Sequence, residues 1–160
     1  MVTTGRKTTT SKSLSQLKHL VLLLAKNAKT LPFPFNFLKQ LRSLTIWCFV
    51  KLKELPEDFG SVLPQLRSLR IKGSKELEHL PTSITQLKHL TCLELVELPK
   101  LTSFPDAVGA LSRLQKLSLI QCSAFKHLPA SLTLLACLTW LDVSDTSNRS
   151  LSNLYLLWSI

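Results

Sequence analysis

A spacing of eleven residues recurs five times along this chain. Leu20 to Leu31, Leu44 to Leu55, Leu69 to Leu80, Leu93 to Phe104 and Leu117 to Leu128 are each eleven apart. In every pair the second residue is followed by proline: Pro32, Pro56, Pro81, Pro105 and Pro129. The unit around the pair starts at Leu14, Leu38, Leu63, Leu87, Leu111 and Leu135, in steps of 24 or 25 residues. One such unit cannot bury its own leucines, but copies stacked on either side can. The period therefore restricts the chain to a solenoid, which offers an extended surface and not a closed catalytic cavity.

Each part of the unit has a physical reading. The pairs Leu20/Leu22, Leu44/Ile46, Leu69/Ile71, Leu93/Leu95, Leu117/Leu119 and Leu141/Val143 alternate with period two, which predicts short strands with the apolar side turned inward. Stacked copies of these strands should form one parallel sheet. The proline after the last leucine restricts the backbone and lacks an amide hydrogen, so it suits the first position of a helical turn. The spacings Ile84, Leu87, Leu90 and Val108, Leu111, Leu114 then read as the inner side of about one and a half helical turns. The chain is expected to alternate strand, turn and short helix.

Composition bounds the rest. At 160 residues there is room for one domain, and 45% apolar content supplies a continuous core. The net charge of +10 is unevenly placed. Residues 1–53 hold ten Lys or Arg and no acid, whereas residues 54–160 hold ten of each sign. A basic third beside a neutral remainder suggests an electrostatic contact at one end. Residues 1–13 read as a basic, disordered leader, with an organelle-targeting sequence as the lesser reading. The repeats occupy 14–146. The apolar stretch 147–160 reads as an irregular cap or an uncapped edge prone to self-association. The run Leu20–Ala25 is far too short to span a bilayer. The cluster Phe33, Phe35, Phe37 reads as filling between the first two units.

The fullest unit carries Leu111, Leu114, Leu117, Leu119, Cys122, Phe125, Leu128 and Pro129. This L-x-x-L-x-x-L-x-L-x-x-C-x-x-(L/F)-x-x-L-P pattern resembles a leucine-rich repeat, over roughly residues 14–146. It is similar to the repeats of plant intracellular immune receptors, the nucleotide-binding leucine-rich-repeat proteins, and to the Ras-group repeat scaffolds. Only Cys122 fills the cysteine slot of that pattern. Ala25, Phe49, Ser74, Leu98 and Thr146 occupy it elsewhere, so no regular side-chain ladder is expected along the turns. The resemblance implies an α/β solenoid of about six repeats, with a curved parallel sheet on one face and short helices or turns on the other. It also implies a cytoplasmic, non-catalytic protein-interaction module in plant immune recognition, as a receptor fragment or an adaptor. The alternatives are a Ras-group-type signalling scaffold and the substrate-recognition part of a ubiquitin-ligase assembly.

Catalytic and cofactor chemistry finds little support in the residues. Cys48, Cys92, Cys122 and Cys137 include no C-x-x-C pair, and with the histidines they lack zinc-ligand spacing. They read as reduced structural cysteines. His79 and His127 occupy the same repeat slot, just before the L-P leucine, which is decoration and not a catalytic pair. Gly5-Arg-Lys-Thr8 lacks the second glycine and lysine of a phosphate loop. No cofactor, metal or small-molecule substrate is expected.

What remains is the outward side of the sheet, the concave face. Its residues alternate with the inward leucines: Thr45 and Trp47, then Arg70 and Lys72, then Glu94 and Val96. Ser118 and Ile120 follow, then Trp140 and Asp142. Tryptophan and arginine are enriched at protein-binding hot spots. Trp47, Arg70, Lys72 and Trp140 are the expected anchors for a protein partner. Two cations on one strand do not make a phosphate track, so nucleic-acid readout is not expected.

Overall fold

A computed structural model describes residues 14–32, 35–125 and 127–146. Six strands form one parallel sheet in sequence order. They are β1 (His19–Leu23), β2 (Ser43–Trp47), β3 (Ser68–Lys72), β4 (Cys92–Val96), β5 (Lys116–Ile120) and β6 (Trp140–Asp142). The register carries no slip. Leu20, Leu44, Leu69, Leu93, Leu117 and Leu141 form one row, and Leu22, Ile46, Ile71, Leu95 and Leu119 another. The expected parallel stack of strands is therefore present at the expected residues.

The core is a column of these rows. Leu44, Leu69, Leu93 and Leu117 are wholly buried, as are Leu38, Leu63, Leu87 and Leu111 from the opposite wall. Each unit closes onto the next, so Leu20 and Leu141 in the end strands are only partly covered. Phe35 and Phe59 meet edge to face at 5.6 Å and join the first two units. Phe37, by contrast, is exposed, and Phe33 lies outside the described residues. The leader 1–13 and the stretch 147–160 also lie outside them.

The backs of the units are tighter than one and a half α-helical turns. A four-residue helix, α1 (Phe59–Val62), backs the second unit, and Leu14 and Ser15 are helical at the start of the first. The others use 3-10 turns, at Phe35–Phe37, Thr82–Gln86, Val108–Ala110 and Ala130–Leu134. The proline stands just outside the turn. Pro81 and Pro129 have φ −65° with ψ 149° and 144°, which is extended backbone. Their carbonyls accept from the N–H three residues on, of Ile84 and Leu132. A 24-residue unit leaves too few residues behind the sheet for a long α-helix, and i→i+3 bonding uses the shorter run.

Each strand exits through a residue in the left-handed region. Leu24, Cys48, Gly73, Glu97, Gln121 and Asp145 have φ between 53° and 69° and share one slot of the unit. The N–H of the first five donates to the carbonyl of Trp47, Lys72, Val96, Ile120 and Ser144 of the following unit. The positive φ turns the chain toward the back of the solenoid while extending the backbone ladder by one bond.

Candidate interaction face

The zero-slip register sorts the outward side chains into three rows. Ser43, Ser68, Cys92, Lys116 and Trp140 form the first; Thr45, Arg70, Glu94, Ser118 and Asp142 the second; Trp47, Lys72, Val96 and Ile120 the third. The two tryptophans therefore stand in different rows. They also sit four strands apart, roughly 19 Å at about 4.8 Å per strand step.

Lysines flank both indoles. The Lys72 ammonium lies 5.7 Å from the Trp47 ring centroid and the Lys116 ammonium 5.9 Å from that of Trp140. Both are within cation–π range. Glu94 ties the two ends together: its carboxylate oxygens accept from Arg70 Nε and Lys116 Nζ, each at 2.7 Å. Lys72 reaches Glu97 at a looser 3.4 Å. Burial alone would push the Glu94 carboxyl up. The Lys116 hydrogen bond and the Arg70 and Lys116 charges outweigh burial and hold it below the ordinary value. The same hydrogen bond raises the Lys116 ammonium.

A shallow depression of about 140 Å³ opens on this face, lined by Thr45, Trp47, Arg70, Ile71, Lys72, Glu94 and Val96. It draws together six of the ten residues expected to contact a partner. The other four lie apart from it. Ser118 is only 3% exposed, because the Glu94–Lys116 bridge and neighbouring strands cover a short side chain. Its expected place on the exposed face is corrected to a buried one. Asp142 Oδ1 accepts from the N–H of Ser144 at 3.0 Å and its hydroxyl at 2.7 Å, so this carboxylate closes its own turn. Ile120 is half-buried, and Trp140 stands exposed at the start of the last strand. Lys116 and Glu97 belong to the face network but were not among the ten. Alternation along β5 already places Lys116 on the outward side, one residue before the inward Leu117.

A larger cleft of about 590 Å³ lies on the flank, between Lys29, Thr30, Val50, Lys51, Lys53, Glu54 and Glu76. Backbone bonds between neighbouring units run beside it. Glu78 N–H donates to Lys53 at 3.0 Å and Thr102 N–H to Glu78 at 3.3 Å, but no matching bond joins Lys53 to Lys29. It has no aromatic wall, and its Glu76 carboxylate already pairs with Lys100 at 2.6 Å.

His79 approaches Thr102 at 3.4 Å and His89 approaches Arg113 at 3.2 Å, on opposite flanks. Burial pushes the Cys122 thiol up to about 11, and burial together with Glu94 raises Cys92. Raised thiols are poor nucleophiles at neutral pH. Among the described residues, no three His, Cys, Asp or Glu side chains group closely enough to hold a metal ion. Among them also, no helix is long and apolar enough to cross a membrane.

Comparison with known proteins is consistent with the repeat geometry. The family model of the leucine-rich repeat region matches residues 37–153. The disease resistance protein RPS4B of Arabidopsis thaliana is 33% identical over 133 residues, covering 71% of this chain and 11% of that protein. The TMV resistance protein N of Nicotiana glutinosa is 30% identical over 136 residues, covering 84% and 12%. The chain thus spans about a tenth of the length of these relatives. Among solved structures, a Leptospira interrogans LRR protein superimposes with TM-score 0.54 at 20% identity, covering 90% of this chain and 47% of that one. That likeness concerns the fold alone.

Proposed function

The chain belongs to the leucine-rich-repeat family, and from that premise we propose that it is a non-catalytic protein-interaction module working through the exposed sheet face. The observation that carries this is the depression bounded by Trp47, Arg70 and Lys72. There a half-exposed indole and two cations converge on a rigid sheet. Residues on strands hold such a constellation with little loss of side-chain freedom on binding. Similarity to two plant resistance proteins supports a place in plant-type immune recognition, as a receptor portion or an adaptor in the cytoplasm.

The test is proximity labelling in plant cells, comparing the intact protein with a Trp47→Ala/Arg70→Ala/Trp140→Ala variant. A discrete set of labelled proteins, containing defence components and lost in the folded variant, is the expected result. An unchanged set would move the binding surface to the 3-10 side. A face-dependent set without defence components would keep the module but remove the immune role.

A further inference from the structure

We propose that the depression beside Trp47 receives an acidic segment of a partner protein, in which an apolar side chain stands next to a carboxylate. This rests on the reading of the sheet face as the binding surface and specifies what that surface selects.

Charge is the first argument. On the strands, Arg70, Lys72 and Lys116 face a single engaged carboxylate, Glu94. Asp142 is turned into its own loop. Even with Glu97 included, three cations meet two carboxylates, so the cluster keeps a positive charge. The adjoining field has the same sign. Residues 14–53 hold Lys18, Lys26, Lys29, Lys39, Arg42, Lys51 and Lys53 with no acid. A one-signed lobe beside a cleft draws in a ligand of opposite charge.

Geometry is the second. Arg70 meets Glu94 through Nε, and its side chain is still half-exposed. A guanidinium carries five N–H donors, so its exposed edge can take a second carboxylate in a forked pair. The Lys72–Glu97 contact of 3.4 Å is long for a charge-assisted bond, which is typically about 2.7–2.9 Å. Lys72 can therefore turn to an incoming carboxylate without giving up a tight partner.

Size and polarity supply the third. Trp47 and Val96 give the depression apolar walls beside the two cations. Its volume of about 140 Å³ is well below the ~300–1,000 Å³ of small-molecule sites. It has room for a side chain of a docked segment. A single indole and a short row of cations lack the successive stacking platforms and backbone groove of a single-strand nucleic-acid site.

The experiment is selection of a random dodecapeptide phage library on the full chain. One selected peptide is then titrated by fluorescence anisotropy, with labelled oligo-uridine RNA as a parallel probe. Circular dichroism confirms folding of each variant. Selected sequences should place Asp or Glu within two residues of Leu, Ile or Phe. Arg70→Glu/Lys72→Glu should weaken the peptide at least tenfold, and the flank variant Lys51→Glu/Lys53→Glu less than threefold. Should the reversal variant misfold, Arg70→Gln/Lys72→Gln should show a loss in the same direction. Peptides without acidic enrichment that are lost on Val96→Arg would overturn the acidic preference while leaving the face as the binding surface. Peptides indifferent to Val96→Arg and to both face variants would overturn both. Binding of the RNA alone, or no selected peptide at all, would overturn the acidic-segment proposal.

Discussion

The main-chain N–H of Gly60 donates to the Ser83 hydroxyl at 3.0 Å, across the joint between the second and third repeats. Two units later Gly109 meets the Ser131 hydroxyl in the same way at 3.4 Å. At both joints the backs of neighbouring units approach so closely that a side chain cannot intervene. A Cβ on Gly60 would lie 1.7 Å from the Ser83 carbonyl oxygen, and one on Gly109 2.2 Å from that of Ser131.

Gly60→Ala should therefore cost about 3 kcal/mol or more, because the obstacle is backbone and the whole joint must open. Gly73→Ala is the comparison. Gly73 has φ 69°, but an added Cβ would meet only Cys48 Sγ at 3.2 Å, and other units hold non-glycine residues in that slot. It should cost about 1–2 kcal/mol. Urea denaturation of the two variants orders them, and equal losses would refute the close-joint reading.

Leu93 and Glu94 are neighbours with opposite surroundings. Leu93→Ala should cost about 2–5 kcal/mol, as buried large-to-small changes do. Glu94 is not the freely exposed residue that alternation alone suggests, since its side chain is only 18% exposed and bridges two cations. Glu94→Gln should cost about 1 kcal/mol at neutral pH, since Arg70 and Lys116 then face each other without the charge between them. The folded-state carboxyl is held below its unfolded value. Its contribution is therefore fully present above the ordinary glutamate range near ~4.3 and lost as pH falls through the lower folded value. Denaturation of wild type and Glu94→Gln between neutral and acid pH should converge at the acid end. A gap that widens on acidification would contradict the bridge.

How much of this could be read from the sequence differs by element. The rows Leu44-Leu69-Leu93-Leu117 followed from a constant offset, because strand alternation and stacking leave one way to bury them. The left-handed slot did not, since only Gly73 betrays it while Leu24, Glu97 and Gln121 carry no turn signature. The Glu94 bridge was hidden for another reason. Its partners Arg70 and Lys116 lie 24 and 22 residues away in sequence and meet only through the register. Period-two alternation says which side of the sheet a residue takes, not whether its neighbours cover it. Ser118 and Trp140 share that side and differ from 3% to 58% exposed.

Ser74 occupies the slot that Cys122 fills two units later. Its hydroxyl is fully buried and has no hydrogen-bond partner among the described residues. Cys122 Sγ, in contrast, contacts the Leu95 and Ile120 carbonyls at 3.7 Å. Removing an unsatisfied buried hydroxyl relieves a desolvation penalty, so Ser74→Ala should leave stability unchanged or raise it by about 1 kcal/mol. A loss of similar size in thermal melts would show that the hydroxyl has a partner.

The four thiols should react in the order of their surroundings. Cys137 is exposed, Cys48 and Cys92 are half-buried, and Cys122 is buried with its thiol pushed up to about 11. Timed alkylation with iodoacetamide, read by peptide mass spectrometry, should modify Cys137 first. Cys122 should react only under denaturing conditions. Early labelling of Cys122 in the native protein would contradict its core position.

A binding titration tests most directly whether the sheet face is the working surface. A partner recovered by proximity labelling is titrated into purified wild type, Trp47→Ala and Leu134→Ala. Leu134 is 68% exposed on the 3-10 side and serves as the counterpart on the opposite surface. Trp47→Ala should weaken the complex by ~2 kcal/mol or more, roughly 30-fold, with an unaltered melt. Leu134→Ala should leave affinity within about threefold, the scale of a near-neutral contact. Full affinity in a folded Trp47→Ala/Arg70→Ala/Trp140→Ala variant, with loss on Leu134→Ala, would contradict the assignment and place recognition on the back of the solenoid.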